Sequence, residues 1–217
     1  MSSFSDQSLK LVRDLQSLFV RGLEKVSQDV GEDVCFQKAE WLRDGGQHGG
    51  GDRFYCAGSK VFNRAAVNVS HIHYDDLPDK ALASATAIST IIHPRNPHAP
   101  SVHMHISWTA MKDGRGYWRI MADLNPSIPN DADKRTFVKA LQDTAPDLYQ
   151  EAANQGDKYF FIPALNRRRG VAHFYLEGYC TNDFDKDLGL ARAIGEKTIE
   201  TYLCIPVSYT HLRAHET

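Results

Sequence analysis

Histidines are concentrated in the middle of the chain, where their spacing suits metal ligation or proton transfer. Six of the ten histidines lie between His71 and His105, and one residue separates His103 from His105. Because side chains alternate across a β-strand, two histidines at this spacing point to the same face. Such a pair can hold a metal ion, exchange protons with a substrate near neutral pH, or be hydrogen-bonded within a sheet. The pair by itself leaves these chemistries open.

The same alternation places other polar side chains on comparable strand faces. In segment 102–110 the face opposite the histidines is apolar, and it carries Val102, Met104, Ile106 and Trp108. If the strand-like segments are neighbours in one sheet, a single face holds acids, bases and hydrogen-bond donors: Ser89, His93, His103, His105, Arg119, Asp123, His173 and Glu177. Such a cluster predicts a functional site. A solvated face of an antiparallel sheet is the competing interpretation.

Two neighbouring motifs give less information about function than the polar face does. A cupin-type metal centre usually has a glutamate shortly after its histidine pair, and the run ISWTAMKDG lacks one. The glycine-rich segment 45–51 lacks the spacing of a phosphate-binding loop. We therefore expect it to form a mobile lid or to allow close backbone approach to a ligand.

The elements that position these residues are strands between terminal helices. Apolar residues at three-to-four spacing predict helices over 5–29 and 183–204, and residues 131–155 form a helix interrupted by Pro146. Strands are predicted at 34–42, 53–57, 60–64, 66–73, 85–93, 102–110, 117–124, 159–163 and 171–179. The sequence thus predicts an α+β fold.

Composition excludes several classes of protein. The formal net charge is −2, which argues against a dedicated nucleic-acid-binding domain. No apolar run reaches the roughly 20 residues that a transmembrane helix needs. The first residues, MSSFSDQSLK, do not have the form of a signal peptide, so we expect a cytoplasmic protein.

A long motif, IIHPRNPHAPSVHMH, surrounds the histidine pair, and Ser89 lies four residues before His93. This segment resembles the signature of the oxygen-dependent coproporphyrinogen III oxidase family, whose pattern is S-L-V-x-H-P-x-N-P-x-x-P-T-x-H. The resemblance extends over about residues 34–205, through Trp41 and the glycine segment to Arg53, VF…AVNVSH at 61–71, DLNP at 123–126, YFF at 159–161 and RGV at 169–171.

This resemblance implies a large antiparallel sheet flanked by α-helices on both sides, and a homodimer when the protein is full length. It implies O2-dependent oxidative decarboxylation of two coproporphyrinogen propionates to vinyls, giving protoporphyrinogen IX in haem biosynthesis. No organic cofactor is required, and a divalent metal is weakly supported. Carried over by position, His103 is the proton donor and Asp123 accepts hydrogen bonds from pyrrole N–H groups. By the same resemblance Ser89 contacts substrate and His93 is a metal ligand. Arg53, His105 and Arg119 are predicted here as further substrate contacts.

Departures from the family pattern leave two alternatives open. His105-Ile106-Ser107 stands where the family has Asn-Val-Arg, and Arg119-Ile120-Met121 replaces a triple glycine. Two later histidines, proposed as metal ligands in the family, have no match. Arg119 could replace the lost arginine from a neighbouring strand. The alternatives are a paralogue that binds a tetrapyrrole without oxidising it, and a histidine-ligated metal oxygenase.

The domain prediction treats residues 1–205 as a single coproporphyrinogen-oxidase-like domain whose C-terminal part is missing. Residues 206–217, PVSYTHLRAHET, add two histidines without apolar periodicity. We expect them to be a non-native tail.

Overall fold

The computed structural model describes residues 3–209, and within this range it describes only the backbone of residues 206–208. A large sheet forms the centre of the molecule. The sheet has seven antiparallel strands in the order β1-β2-β3-β4-β5-β6-β9. These strands are β1 (Gln37–Leu42), β2 (Gly49–Ala57), β3 (Phe62–His73), β4 (Leu82–Pro94), β5 (Ser101–Met111), β6 (Gly116–Asn125) and β9 (Ala172–Tyr179). Two short strands, β7 (Phe161–Ile162) and β8 (Arg167–Arg168), form a separate ribbon.

Four α-helices flank the sheet, which confirms the predicted α+β class. They are α1 (Phe4–Asp29), α2 (Asp131–Thr144), α3 (Pro146–Tyr159) and α4 (Phe184–Tyr209). Helices α1 and α4 pack against the central strands, and α2 packs along α4. Helix α3 lies on β9 from the opposite side, where Asp157 meets His173. Pro146 starts α3 at its first turn, where the missing N–H costs nothing.

The apolar sheet face forms the core beneath α1 and α4. Val67, Ile88, Ile106, Ile120 and Phe174 are fully buried there. Removing these side chains from water is the main driving force that fixes which face of each strand points inward. The polar face is therefore directed away from α1 and α4.

The glycine-rich segment differs from the expectation of a loop. A 3₁₀ turn covers Asp44–Gly46, and β2 already begins at Gly49. A Cβ atom on Gly50 would collide with the Trp41 carbonyl oxygen, and one on Gly51 with the Val69 carbonyl oxygen. These glycines therefore allow close approach of neighbouring strands, and close approach of a ligand to this segment stays a prediction.

Several predicted boundaries also change. The predicted strands 60–64 and 66–73 form one continuous strand, and the strand expected from 34 begins at Gln37. The strand expected at 159–163 shrinks to two residues because α3 extends through Tyr159. Helix α4 continues through Tyr209, whose hydroxyl donates to Asp133 at 2.5 Å. The rest of the predicted tail, 210–217, lies outside the described residues.

Among residues 3–209, no helix combines the length and the apolar character that crossing a membrane requires.

Candidate active site

The strand register brings all of the predicted site residues to the polar face of the sheet. Directly opposite residues in an antiparallel ladder share a face. His103 lies opposite Asp123, and His105 lies opposite Ser89. The other members occupy neighbouring positions on the same face: Arg53, His93, Arg119, His173 and Glu177. The predicted common face is confirmed.

Asp123 forms the buried centre of this face beside His103. Its side chain has no exposed area, and its Oδ2 lies 3.3 Å from Nδ1 of His103 and 2.9 Å from Nη2 of Arg169. Asn125 donates a further hydrogen bond to the same oxygen. Burial would raise the pKa of Asp123, but the hydrogen bond from His103, the His173 imidazolium 3.4 Å from Oδ1 and the charge of Arg169 lower that pKa to about 2. Asp123 is therefore a carboxylate held by several donors.

This enclosure bears on the expected role of Asp123. Arg169, Asn125 and the two histidines surround the carboxylate, and the side chain is fully buried. In this arrangement Asp123 orients His103 through Nδ1, which leaves Nε2 of His103 as the ring nitrogen available for exchange with a ligand. Direct contact between Asp123 and a pyrrole N–H stays a prediction.

A segment that connects α3 to β9 closes over Asp123. We call residues 160–171 the strap. Within it, Gly170 has a φ of +74°, and the Arg169 guanidinium lies 4.4 Å from the Phe160 ring centre. The Val171 amide donates to the Leu124 carbonyl at 2.9 Å. These contacts attach the strap to β6 and place Arg169 on the buried carboxylate.

His173 ties the strap to α3 as a protonated imidazole. Its Nε2 lies 2.6 Å from the Arg169 carbonyl oxygen, and its Nδ1 lies 3.1 Å from Asp157 Oδ1. Both partners accept hydrogen bonds, so both ring nitrogens carry protons. Burial would lower the pKa of His173, but the Asp123 carboxylate, 3.4 Å from Nε2, and the Asp157 carboxylate, which accepts from Nδ1, raise it.

Ser89 and His105 form a second polar unit at the centre of the sheet, with Ser107 as its third member. Ser89 Oγ lies 2.7 Å from His105 Nδ1, and His105 Nε2 lies 3.0 Å from Ser107 Oγ. Burial, assisted by the charge of Arg119, lowers the pKa of His105 to about 4. His105 is therefore a neutral imidazole between two hydroxyl groups.

Arg119 is already paired, which bears on its expected role as a propionate ligand. Its guanidinium binds Glu177 through two hydrogen bonds of 2.6 and 2.7 Å. Tyr175 also donates to this carboxylate. A substrate carboxylate at Arg119 must compete with Glu177, although the pair is partly exposed and open to such competition.

A shallow pocket of about 590 Å³ lies on the β2–β4 side of the same face. Two exposed arginines line it, Arg53 and Arg64, and neither makes an ion pair within residues 3–209. Its apolar lining includes Ala39, Ala66 and Ile91, the last of which is 48% exposed. Unpaired arginines beside apolar surface suit a ligand that combines carboxylates with flat apolar faces.

His93 lies where this pocket meets His103. Its Nδ1 lies 2.8 Å from Ser101 Oγ, and the rings of His93 and His103 are 5.6 Å apart. Burial lowers the pKa of His93, and His103 and Arg64 lower it further. Within the described part of the chain, no group of three or more His, Cys, Asp or Glu residues is arranged to hold a metal ion. A metal-binding role for His93 stays a prediction.

Sequence reasoning missed some of the neighbours that complete the site. It gives no role to Arg64, Asn125 or Ser107, and it shows Arg169 only as the first residue of the RGV motif at 169–171. Alternation is the signal that points to Ser107, which is two residues beyond His105 on the same strand face. No spacing rule relates Arg169 to Asp123, because the strap folds back from outside the sheet.

The part of the sequence that forms this site matches a known protein family. The family model described as coproporphyrinogen III oxidase matches residues 7–214. The match covers nearly the whole chain, and it includes every strand of the main sheet and every residue of the polar face. This family supports an oxidoreductase role in porphyrin biosynthesis, with a tetrapyrrole substrate. The chain therefore belongs to the coproporphyrinogen III oxidase family.

Proposed function

We propose that the chain catalyses the oxygen-dependent oxidative decarboxylation of coproporphyrinogen III propionates to vinyl groups, giving protoporphyrinogen IX. The observation that carries the proposal is the position of His103. It rests on the buried Asp123 carboxylate and borders a pocket with two unpaired arginines. This arrangement combines a proton-exchange group with carboxylate recognition on one open face.

Substrate binding is assigned to the β2–β4 side of the face. Arg53 and Arg64 each offer a guanidinium that can form two parallel hydrogen bonds to a propionate. The exposed Ile91, which lines the same pocket, provides apolar surface for a pyrrole ring. The area around Arg119 is less favourable for a carboxylate because Glu177 already neutralises it.

The chemistry requires one proton for each vinyl group formed. The propionate loses CO2 from its outer CH2 group and a hydrogen with two electrons, a hydride, from the CH2 group bonded to the pyrrole ring. O2 accepts that hydrogen, the electrons and one further proton, and becomes H2O2. His103 is placed to supply this proton through Nε2 while Asp123 holds Nδ1. The electron-rich pyrrole reacts with O2 directly, so the protein supplies orientation and proton control.

The proposal includes no organic cofactor, with O2 as co-substrate, and places the protein in the cytoplasm as a homodimer. A divalent metal at His93 is not required for the proton step described above. The lowered pKa of His93 favours the neutral imidazole that a metal ion would need. Loss of turnover on chelation would show that a metal ion is required.

The test is aerobic turnover of coproporphyrinogen III by the full chain, with chromatographic identification of the products. We expect protoporphyrinogen IX, with CO2 and H2O2 formed in equal amounts, and no product when O2 is removed. The absence of product under air from folded protein that binds the substrate would refute the oxidase assignment.

A second candidate is a paralogue that binds a tetrapyrrole without oxidising it. Arg119 and Met121 favour it, because these side chains stand on the polar face where the family has glycine. Their volume would displace a macrocycle from His103 while leaving the arginine-lined pocket open. Tight anaerobic and aerobic binding with no O2 consumption would select this candidate.

A further inference from the structure

We propose that Glu177 is a specificity-determining residue: by neutralising Arg119, it excludes ligand carboxylates from the β6–β9 side of the polar face. The inference rests on the proposed function for the identity of the ligand, a tetrapyrrole in its reduced form. It adds to that function the orientation of the ligand. The carboxylates bind Arg53 and Arg64 on the β2–β4 side, and an edge that carries alkyl groups lies at β6–β9.

A β-bulge brings Glu177 beside Arg119. The β6–β9 ladder shifts its register between Trp118 and Ile120, the two neighbours of Arg119 on β6. Across this shift β9 has one residue more than β6, and Glu177 belongs to that longer stretch. Bulges bend the strand locally and change the direction of a side chain. The contact between Glu177 and Arg119 is therefore set by the backbone of the sheet.

Neighbouring side chains hold the Glu177 carboxylate in place. Both of its oxygens accept from the Arg119 guanidinium, at 2.6 and 2.7 Å. The buried Tyr175 donates to the same carboxylate, and its ring stacks on Tyr159 with the ring centres 4.4 Å apart. The Glu177 amide donates to Gln155 Oε1 on α3 at 3.1 Å. An arginine–carboxylate pair with two hydrogen bonds and this support is stronger than an ordinary exposed ion pair.

The two sides of the polar face therefore differ in charge. Arg53 and Arg64 line the β2–β4 pocket without an ion pair in the described part of the chain, whereas Glu177 balances the charge of Arg119. A ligand carboxylate at Arg119 has to displace Glu177 against its negative charge. An alkyl group meets no such repulsion and can pack on Met121, which is half-buried on the same strand face. This asymmetry favours a ligand whose carboxylates lie on one edge.

The first test measures the ion pair without any ligand. Carbon-13 NMR of the side-chain carboxyl groups follows the titration of Glu177 in the full chain, and Glu177→Gln identifies its signal. Burial would raise the pKa of Glu177, but hydrogen bonds from Arg119 and Tyr175 lower it below the usual 4.5. Arg119→Gln should therefore raise this pKa. An unchanged pKa in that variant would overturn the pairing, and the inference with it.

The second test compares the dissociation constants of two ligands without O2, so that no turnover occurs. Coproporphyrinogen III has a carboxylate on each pyrrole ring, whereas mesoporphyrinogen IX has carboxylates on two adjacent rings and ethyl groups in place of the others. Glu177→Gln keeps the shape of the side chain and leaves Arg119 with an unbalanced charge. We expect this variant to bind coproporphyrinogen III about 3–10-fold more tightly and mesoporphyrinogen IX with unchanged affinity. Arg119→Gln leaves the Glu177 charge unbalanced and should weaken binding of coproporphyrinogen III only.

Glu40→Gln is the matched control, because it removes the same charge from an exposed ion pair at the other edge of the sheet. Glu40 lies on β1 and pairs with Lys38 at 2.7 Å. This variant should bind both ligands as the native chain does.

The outcomes separate the two proposals. If Glu177→Gln binds coproporphyrinogen III no more tightly than the native chain does, the inference is wrong and the proposed function stands. A gain in affinity that Glu40→Gln shares is an effect of net charge, and it contradicts the inference in the same way. Binding of neither ligand by the native chain contradicts the proposed function and the inference together.

Discussion

At the scale of single residues, His103 is the group on which the proposed chemistry depends. Its Nδ1 is 3.3 Å from a carboxylate that stays charged to low pH, and its side chain is 15% exposed toward the open face. The buried charge stabilises one ring orientation, so Nε2 is presented in a fixed position. This is the geometry of a proton-exchange group supported by an acid.

Replacing this imidazole should separate catalysis from binding. We expect His103→Ala to reduce turnover of coproporphyrinogen III by about 10²–10⁴-fold, which is the usual contribution of general acid–base help. The dissociation constant measured without O2 should change little, because the proposed carboxylate ligands, Arg53 and Arg64, are unchanged.

His98→Ala is a suitable control for that measurement. His98 belongs to the same histidine-rich stretch, but it lies in the β4–β5 connection outside the polar face. Turnover by His98→Ala should match turnover by the native chain. If His103→Ala retained full turnover, proton supply would have to come from another group.

At the scale of elements, the strap covers Asp123 of β6 and leads the chain into β9, the neighbouring strand. Gly170 makes this closure possible in two ways. Its φ of +74° lies in the left-handed region, and a Cβ atom there would collide with Asp123 Oδ1 and lie 2.9 Å from His173 Nε2. A side chain at this position is therefore opposed by both backbone conformation and space.

A pair of glycine variants separates these two contributions. Gly178 has a similar φ of +66°, but nothing lies within 4 Å of an added Cβ. We expect Gly178→Ala to lower the free energy of unfolding by about 1–2 kcal/mol through backbone strain alone. Gly170→Ala should cost about 1–3 kcal/mol more, because the methyl group must displace the Asp123 cluster.

Urea unfolding of both variants at neutral pH measures this difference. Gly170→Ala should also weaken the contact between Arg169 and Asp123, and so reduce turnover, whereas Gly178→Ala should not. Equal stability losses in the two variants would show that the strap does not pack on Asp123 as described.

At the scale of the whole molecule, the charge cluster around Asp123 makes stability depend on pH. Asp123 has a pKa of about 2 in the folded chain against a reference of 3.8. A depressed carboxyl pKa stabilises the fold above the unfolded value and loses this contribution as pH falls through the folded value. The contribution is about 2 kcal/mol above pH 4, and it disappears toward pH 2.

His173 acts with the opposite sign. Its pKa is raised in the folded chain, so its stabilisation is complete below the reference value of 6.5 and declines as pH rises through the folded value. The two groups together predict a maximum of stability at mildly acidic pH. Above that maximum the loss comes from His173, and below it from Asp123.

Variants of Asp123 and His173 show which group causes the loss of stability on each side of this maximum. Unfolding free energies of the native chain and of Asp123→Asn should differ most near pH 5–6 and converge as the pH approaches 2. The difference in unfolding free energy between the native chain and His173→Gln should become smaller above neutral pH. A constant difference between the native chain and Asp123→Asn from pH 6 to pH 2 would show that Asp123 titrates at an ordinary pKa.

The sequence by itself determined which side chains share the functional face. Alternation in the strands is a local property, and burial of Met104 and Ile106 forces His103 and His105 to the opposite side. The helix break at Pro146 and the family motifs are equally local. The α+β class and the membership in the family could therefore be predicted from local patterns along the chain.

Only the tertiary structure decided what those side chains do to one another. The enclosure of Asp123 by Arg169, the pairing of Arg119 with Glu177 and the Ser89–His105 contact join residues from different strands or from the strap. Such contacts depend on strand register and on how the chain returns to the sheet, and periodicity in one segment carries no information about either. The pKa values of these groups follow from the same burial and charges, so they too emerge only when the chain is folded.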